Sequence, residues 1–231
     1  MVCRFASAPM AICALLLLGA GPVAAERTQE RRVEDARDVL TAIMTVPERD
    51  AVQQLMKETY ALAIFPDVQR VAFVIGGQHG KGVLIVRRGE GTWSRPLFLT
   101  LSGASVGWQV GVQSADIVLF FRTRGSVDSV LRGRYTMGVG ASLAAGSLGR
   151  AASATTDADM RAEIYSYART RGIFAGVSLE GVSLDVDLDA NAAYYGKEID
   201  KPSDVLEGTS PSDPPSAVAL RRAIESWEKS R

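Results

Sequence analysis

The feature that most constrains this fold is a change of phase in an alternating apolar pattern within residues 172–196, GIFAGVSLEGVSLDVDLDANAAYYG. The apolar residues stand at odd positions before the change and at even positions after it: Val177 and Leu179, then Val182, Leu184, Val186 and Leu188. Side chains of a regular strand alternate between the two faces of a sheet, so one unbroken strand cannot bury both sets on the same side. The pattern therefore predicts a break at Glu180 and Gly181.

Two local structures would produce this phase change. A two-residue turn would place Leu179 and Val182 opposite each other on one face of a hairpin, whereas a bulge would insert one extra residue, with Gly181 supplying a positive φ. An unbroken strand through Leu188 would far exceed the usual length of about five or six residues. We therefore favour a hairpin whose inner face builds core.

The N-terminal residues have the composition of a secretory signal. Arg4 lies ahead of an apolar run that ends at Leu18, and small residues precede Glu26, which predicts cleavage after Ala25. The apolar run is shorter than the roughly 18 residues expected of a membrane span. We therefore expect an exported protein, either periplasmic or secreted.

Cysteine content and charge balance exclude several classes of site. Both cysteines, Cys3 and Cys13, lie in the predicted signal, so the mature chain would have no disulfide, thiol nucleophile or cysteine-ligated zinc. The 26 Lys and Arg residues balance the 26 Asp and Glu residues. This balance predicts no nucleic-acid partner, so recognition of charged partners would depend on local patches.

Helical spacing of apolar residues marks both ends of the mature chain. Residues 27–44 carry apolar side chains at spacings of three and four and mix acidic with basic residues on the opposite face, which predicts a helix docked on its own domain. A capping box at 45–48 begins a second helix, and residues 216–227 predict a third. We divide the chain into a signal peptide (1–25), an N-terminal helix (26–44), a core domain (45–196), and a polar linker with a C-terminal helix (197–231).

The middle of the chain has the pattern of strands. Apolar segments at 71–75 and 83–86 flank the sequence GGQHGK, which predicts a hairpin loop whose glycines allow positive φ. Further strands are predicted at 97–101, 108–112 and 117–121. With a short helix at 126–131, the prediction is an α+β fold: a mainly antiparallel sheet, sandwich- or barrel-like, with two N-terminal helices and a C-terminal helix.

The residues do not form the pattern of an enzyme active site or of a metal centre. His79 is the only histidine and stands among glycines, so neither general-base catalysis nor zinc binding is favoured. The acidic run Asp185, Asp187 and Asp189 lacks the glycine and glutamate of a calcium-binding loop. Alternate strand residues lie about 7 Å apart, so we favour a solvated acidic face, with a weak calcium site as the alternative. We predict a non-enzymatic protein without a cofactor.

Six basic residues in the strand-rich middle are candidate lipid-binding residues: Lys81, Arg87, Arg88, Arg95, Arg122 and Arg124. A backbone nest beside Lys81 would hold an anionic group, and guanidinium groups bind phosphate through paired hydrogen bonds. A surface that gathers several of these residues would bind phospholipid headgroups. The alternative is that the arginines pair with carboxylates of the same chain, and the sequence favours neither arrangement.

Seven short motifs, taken in order, resemble the SYLF domain: IFP at 64–66, GGxxGxGV at 76–83, WSxP at 93–96, SxGxQxG at 105–111, AAGxxGR at 144–150, GxFAGVSLEG at 172–181 and YYG at 194–196. This domain is shared by bacterial exported proteins and eukaryotic actin-patch regulators, and the resemblance covers about residues 44–196. One departure is Ser147, where the family commonly has proline. The substitution leaves the local turn less rigid.

The resemblance implies a single α+β domain that binds phospholipids, with phosphoinositides as ligands of eukaryotic members and actin as a further partner of fungal ones. For an exported protein it implies an extracytoplasmic module that recognises anionic phospholipid headgroups, or a membrane surface, through surface Arg and Lys. The N-terminal helix of eukaryotic members engages membranes, but the mixed charge of residues 27–44 does not favour that role here. The alternative is an envelope structural or protein-interaction module that docks an envelope protein through its sheet edge or C-terminal helix.

Overall fold

The computed structural model describes residues 22–45, 49–133, 135–137, 164–170, 173–175, 179, 181–208 and 213–229. The helices within these ranges are α1 (Pro22–Ile43), α2 (Arg49–Lys57), α3 (Arg124–Leu131), α4 (Leu188–Tyr195), α5 (Pro202–Glu207) and α6 (Pro215–Lys229). The strands are β1 (Ala61–Val86), β2 (Leu97–Phe121), β3 (Tyr135–Thr136), β4 (Ile164–Thr170), β5 (Ile173–Ala175) and β6 (Val182–Val186).

Two long antiparallel strands, β1 and β2, form the longest pairing in the sheet. They pair from Ala61 opposite Phe121 to Leu84 opposite Leu97. The other edge of β2 pairs with β6 along residues 99–103 and with β4 along residues 116–121. Strand β3 then pairs with β6, and β5 with β4, all antiparallel. The predicted α+β fold with a mainly antiparallel sheet is confirmed.

Strand β1 curls until its two ends meet. The N–H of Arg87, just after β1, donates to the carbonyl of Tyr60, just before it, at 2.8 Å. Gly82 lies so close to the start of the same strand that a Cβ there would be 2.2 Å from the carbonyl oxygen of Ile64. A bulge between Phe65 and Val68 contributes to this bend, because bulges sharpen local twist.

The prediction of a hairpin loop at GGQHGK was wrong. These residues lie within β1, where Gly76 pairs with Ser105 and Lys81 with Thr100. The glycines allow the strand to bend sharply and do not form a turn. A Cβ at Gly80 would lie 2.6 Å from Val68 of the same strand, so only glycine permits this close approach. Local sequence signals a need for glycine, but it does not distinguish a turn from a close approach of two distant backbone segments.

The sheet separates two apolar clusters. Helices α1, α2, α4 and α6 cover one face, where they pack against residues such as Leu62 and Phe98. Helices α3 and α5 cover the other, which includes Leu99 and Phe121. Successive residues from 117 to 121 alternate between the two clusters, so burial on both faces is confirmed for that part of β2.

The predicted terminal helices pack as expected. Val33, Ala36 and Leu40 of α1 are fully buried, which confirms that this mixed-charge helix docks on its own domain. Leu220 and Ile224 bury the apolar stripe of α6. No helix in the described part of the chain is long and apolar enough to cross a membrane.

The turn at Gly181 is confirmed, but the predicted hairpin was wrong, because β6 pairs with β2 along one edge and with β3 along the other, which leaves no edge for a hairpin partner. The strand that follows the turn is also shorter than predicted. The N–H of Val182 donates to the carbonyl of Leu179 at 3.1 Å, and Gly181 has φ +75°. Strand β6 ends at Val186, and Leu188 begins α4 with 49% of its surface exposed. Placing Leu188 on the inner face of a hairpin was therefore wrong. The reason is a helix cap, because the Asp187 carboxylate accepts the N–H of Ala190 at 3.0 Å.

The three aspartates of the acidic run lie in different structural elements. Asp185 lies on β6, Asp187 caps α4 and Asp189 lies in its first turn. In the described ranges no group of three or more His, Cys, Asp or Glu residues could hold a metal ion. Residues 1–21 of the predicted signal, residues 46–48 of the capping box, and residues 144–150 of the AAGxxGR motif lie outside the described residues.

Candidate functional site

A cleft of about 640 Å³ lies where the connection between β1 and β2 meets α3 and α5. Its lining combines three arginines, two carboxylates, hydroxyls and apolar side chains, and we call it the arginine cleft: Tyr60, Val86, Arg87, Arg88, Gly89, Ser94, Arg124, Val127, Asp128, Leu131, Ser203, Leu206 and Glu207. The apolar part belongs to the same cluster that α3 and α5 build on their face of the sheet. The cleft therefore combines charged groups with apolar side chains.

Arg87 fixes one wall of the cleft and is engaged by its own chain. Its guanidinium donates to the carbonyls of Thr59 at 2.9 Å and Met56 at 3.0 Å, which satisfies the C-terminal end of α2. It also forms an ion pair with Glu228 of α6 at 2.5 Å and lies 4.7 Å from the ring centre of Trp93. These contacts join α2, α6 and the β1–β2 connection, so Arg87 is a structural residue at the edge of the cleft.

Arg88 makes fewer contacts than Arg87. Its Nη2 donates to the carbonyl of Gly208 at 3.2 Å. Burial lowers the pKa of Arg88, and the nearby positive charge of Arg221 lowers it further. An arginine remains protonated in proteins even so. The guanidinium has five N–H donors, so it can bind an anion and keep its contact with Gly208.

Arg124 is the most accessible guanidinium of the cleft. It begins α3, and its side chain is 77% exposed. Its Nε lies 3.7 Å from the carboxylate of Asp128, one helical turn later. An exposed pair at this spacing contributes only about 0.3–0.5 kcal/mol, so an incoming anion can compete with Asp128 for Arg124.

The other three predicted site residues do not line the cleft. Arg95 is buried, pairs with Asp213 at 2.6 Å and stacks 4.5 Å from the ring centre of Tyr195. Arg122 pairs with Glu58 at 2.8 Å. Lys81 is exposed on β1. The structure thus places Arg87, Arg88 and Arg124 in the lining of the cleft, whereas Lys81, Arg95 and Arg122 do not line it. Arg95 nevertheless lies close to Arg88, because both side chains approach Gly208.

Sequence reasoning missed the carboxylates of the cleft. Asp128 follows Arg124 by four residues on α3, a spacing that could have flagged the pair. Glu207 lies on α5, within a segment predicted to be a polar linker. Val205 and Leu206 of α5 are buried, and this adjacent apolar pair was the signal for a docked helix.

A network of buried polar groups lies behind the cleft. The Asp213 carboxylate bridges Arg95 and Arg221, each at 2.6 Å. The hydroxyl of Tyr195 donates to the carbonyl of Pro96 at 2.6 Å, and that of Tyr194 lies 2.7 Å from the hydroxyl of Ser216. Burial raises the pKa of Tyr194 to about 12 and also raises the pKa of Tyr195.

These raised tyrosine pKa values predict a loss of stability at alkaline pH. Unfolded tyrosine ionises near pH 10, whereas Tyr194 in the folded chain keeps its proton to about pH 12. Above pH 10 the unfolded state therefore binds fewer protons than the folded state, and the free energy of unfolding falls as pH rises. Tyr194 alone would contribute a fall of about 1.4 kcal/mol by pH 11, about half of the full effect that is reached above pH 12. Unfolding by guanidinium chloride at pH 8, 9, 10 and 11 measures this fall in the free energy of unfolding.

The Tyr194→Phe variant separates this effect from the titration of other groups. It should be less stable than the parent at pH 8, because Ser216 loses its partner, but its stability should fall less steeply above pH 10. Equal slopes for parent and variant would contradict the assignment to Tyr194.

The cleft has the chemistry of a binding site. Its guanidinium groups suit phosphate or carboxylate oxygens, and its apolar side chains suit hydrocarbon. The hydroxyl of Ser94 is engaged by the backbone, since it accepts from Val86 N–H and donates to the carbonyl of Arg95, both at 2.9 Å. His79 is not among the residues that line the cleft.

Comparison with known proteins agrees with the resemblance drawn from the motifs. A profile of the Ysc84 family, described as a Las17-binding protein actin regulator, matches residues 102–227, more than half of the 231 residues. LAS seventeen-binding protein 3 of Saccharomyces cerevisiae is 34% identical over 175 residues, which cover 74% of this chain and 38% of that protein. SH3 domain-containing YSC84-like protein 1 of Homo sapiens is 28% identical over 182 residues, which cover 78% of this chain and 52% of that protein.

A third relative, Protein YSC84 of Saccharomyces cerevisiae, is 34% identical over 175 residues, 74% of this chain and 37% of that protein. This chain therefore matches between about a third and a half of the length of these relatives. The profile match, together with the identity to the yeast relatives over most of the chain, confirms the resemblance drawn from the motifs: the chain belongs to the Ysc84 family, the family of the SYLF domain.

Proposed function

We propose that this chain is a non-enzymatic module that binds anionic phospholipids outside the cytoplasm. The observation that carries the proposal is the arginine cleft, in which the guanidinium groups of Arg88 and Arg124 line one opening with the apolar side chains of Val127 and Leu206. A phospholipid headgroup region presents the same combination, a phosphodiester next to hydrocarbon. The composition of residues 1–25 supports an extracytoplasmic location.

The two arginines differ in how they would act on a phosphate. Arg124 stands at the mouth, is mostly exposed and pairs only weakly with Asp128, so it would meet the headgroup first. Arg88 is half-buried and held by the Gly208 carbonyl, which fixes its orientation. A preoriented guanidinium loses less conformational entropy on binding than a free one. Together they would supply a mobile and a fixed contact.

The test is co-sedimentation with vesicles of phosphatidylcholine containing phosphatidylglycerol. The parent should bind at low salt and lose binding as salt rises, because charge attraction is screened. The double variant Arg88→Gln/Arg124→Gln should lose about thirtyfold in affinity, on the order of 1 kcal/mol for each basic residue near an anionic surface.

The matched control is Arg31→Gln/Arg222→Gln, which removes the same charge from α1 and α6 on the opposite face of the sheet. It should bind nearly as well as the parent. Equal losses in the two double variants would mean that net charge, rather than the cleft, carries the binding. Failure of the parent to bind at low salt would overturn the proposal, and the thermal unfolding of each variant shows that it is folded.

A second candidate is a protein-interaction module, which the description of the family profile as Las17-binding favours. The apolar face of the C-terminal helix is not available to a partner, because Leu220, Ile224 and Trp227 are buried in the chain's own core. Binding of an envelope protein by both the parent and Arg88→Gln/Arg124→Gln, in the absence of vesicles, would support this candidate over the first.

A further inference from the structure

The charges within the arginine cleft nearly cancel. Arg87 is neutralised by Glu228, which does not line the cleft, at 2.5 Å. The cations that remain are Arg88 and Arg124, and the two carboxylates of the lining, Asp128 and Glu207, match them in number. A ligand with only negative charge would gain two cations but would also approach two carboxylates.

Both carboxylates act on the arginines that would bind phosphate. Asp128 lies 3.7 Å from Arg124. Glu207 lines the cleft together with Arg88, and its negative charge partly offsets the lowering of the Arg88 pKa by burial. An anion that takes Arg124 from Asp128 leaves that carboxylate without its cation, and the charge of Glu207 repels the same anion, so both effects offset part of the gain.

A ligand with both signs of charge avoids this loss. If a phosphate binds Arg88 and Arg124 while an ammonium group binds Asp128 or Glu207, every charge keeps an opposite neighbour. A primary ammonium also has three N–H donors for carboxylate oxygens, whereas the quaternary ammonium of choline has none. The arrangement therefore distinguishes headgroups by their amine.

We propose that the arginine cleft selects a phosphodiester that carries a primary ammonium group, as in the headgroup of an aminophospholipid, with Arg88 and Arg124 binding the phosphate and Asp128 and Glu207 binding the ammonium. The inference rests on the proposed lipid-binding function and names its ligand class. Val127 and Leu206, which line the cleft, would border the first carbons of the acyl chains. Discrimination resides in the two carboxylates, and the arginines set overall affinity.

The experiment compares vesicles of phosphatidylcholine that contain equal fractions of phosphatidylserine or phosphatidylglycerol, which carry the same net charge, or of zwitterionic phosphatidylethanolamine. The parent should bind the phosphatidylserine vesicles about fivefold more tightly than the phosphatidylglycerol vesicles. In Asp128→Asn/Glu207→Gln the ratio should fall to about one, because binding to serine headgroups weakens and binding to glycerol headgroups strengthens. Soluble glycerophosphoethanolamine, added as a competitor, tests whether a headgroup without acyl chains suffices.

The matched control is Glu34→Gln/Asp35→Asn on α1, which raises net charge equally on the opposite face of the sheet and should keep the parent's ratio. Equal or tighter parent binding to phosphatidylglycerol, or an unchanged ratio in Asp128→Asn/Glu207→Gln, would overturn this inference and leave the proposed function standing. If no vesicle binds but glycerophosphoethanolamine does, the ligand class stands with a soluble source and the membrane function fails. If neither binds, both are overturned.

Discussion

The Gly82→Ala protein is expected to be less stable than the parent by about 3 kcal/mol or more, because the added methyl group overpacks a closed region of backbone. A Cβ at this position would lie 2.2 Å from the carbonyl oxygen of Ile64 and 2.6 Å from the ring of Phe65. The first of these neighbours is backbone, so no side-chain rotation relieves the clash. Either β1 must straighten or its two ends must separate.

Thermal unfolding by circular dichroism measures the effect, with Gly125→Ala as the matched control. Gly125 lies in α3, and a Cβ there would meet only the Oγ1 of Thr123, at 4.0 Å. Alanine is favoured over glycine in a helix by about 1 kcal/mol, so this control should be as stable as the parent or slightly more stable. A Gly82→Ala protein with the parent's midpoint would show that β1 does not close on itself.

Neutralising Asp213 is expected to destabilise the protein by about 3–5 kcal/mol, the typical result of removing one partner from a buried ion pair. The Asp213→Asn substitution keeps the shape of the side chain but leaves Arg95 charged and buried, with only 7% of its side chain exposed. Arg221 loses the same partner. Since Asp213 lies just ahead of α6, the start of that helix should loosen from the sheet as well.

The midpoint of thermal unfolding should fall by about 10 °C, since 1 kcal/mol corresponds to about 2–4 °C for a domain of this size. Asp38→Asn is the control, because Asp38 pairs with Arg37 on the surface, where the two side chains are 68% and 41% exposed. That variant should change stability by less than about 1 kcal/mol. Similar midpoints for Asp213→Asn and Asp38→Asn would mean that the buried network adds no more than a surface pair.

The positions of the helices and the buried faces of the strands were predictable, because both depend on the local periodicity of apolar residues. The three- and four-residue spacing of Val33, Ala36 and Leu40 placed α1 and its buried face. Unbroken apolar character at residues 117–121 indicated burial on both faces. The turn at Gly181 followed from a change of phase that no regular strand permits.

The errors occurred where a local signal has several tertiary uses. Glycine at 76–82 signals either a turn or close backbone contact, and the curl of β1 selects the second. Asp187 continues an alternating pattern, yet its carboxylate caps α4 and redirects the chain before Leu188. In both cases the deciding partner is distant or lies in the following element, so spacing alone could not identify it.

The same limit applies to the candidate site. Sequence identified arginine as the residue that would bind phosphate, and Arg88 and Arg124 do line one cleft. It could not tell them from Arg95 and Arg122, which pair with Asp213 and Glu58 of distant segments. Guanidinium groups suit protein carboxylates as well as they suit phosphate, so only tertiary contacts decide which role each arginine has.

The sequence by itself determined the family and the α+β class, because motifs and the periodicity of apolar residues are local properties of the sequence. The tertiary structure decided that one strand of 26 residues curls until its ends meet, and that two carboxylates join the arginines in the cleft. Those outcomes depend on contacts such as the one from Arg87 N–H to Tyr60, between residues far apart in sequence. A contact of this kind forms only when the whole sheet closes. Bringing two distant residues together costs loop entropy, and the contact lowers the free energy only once the chain between them has folded.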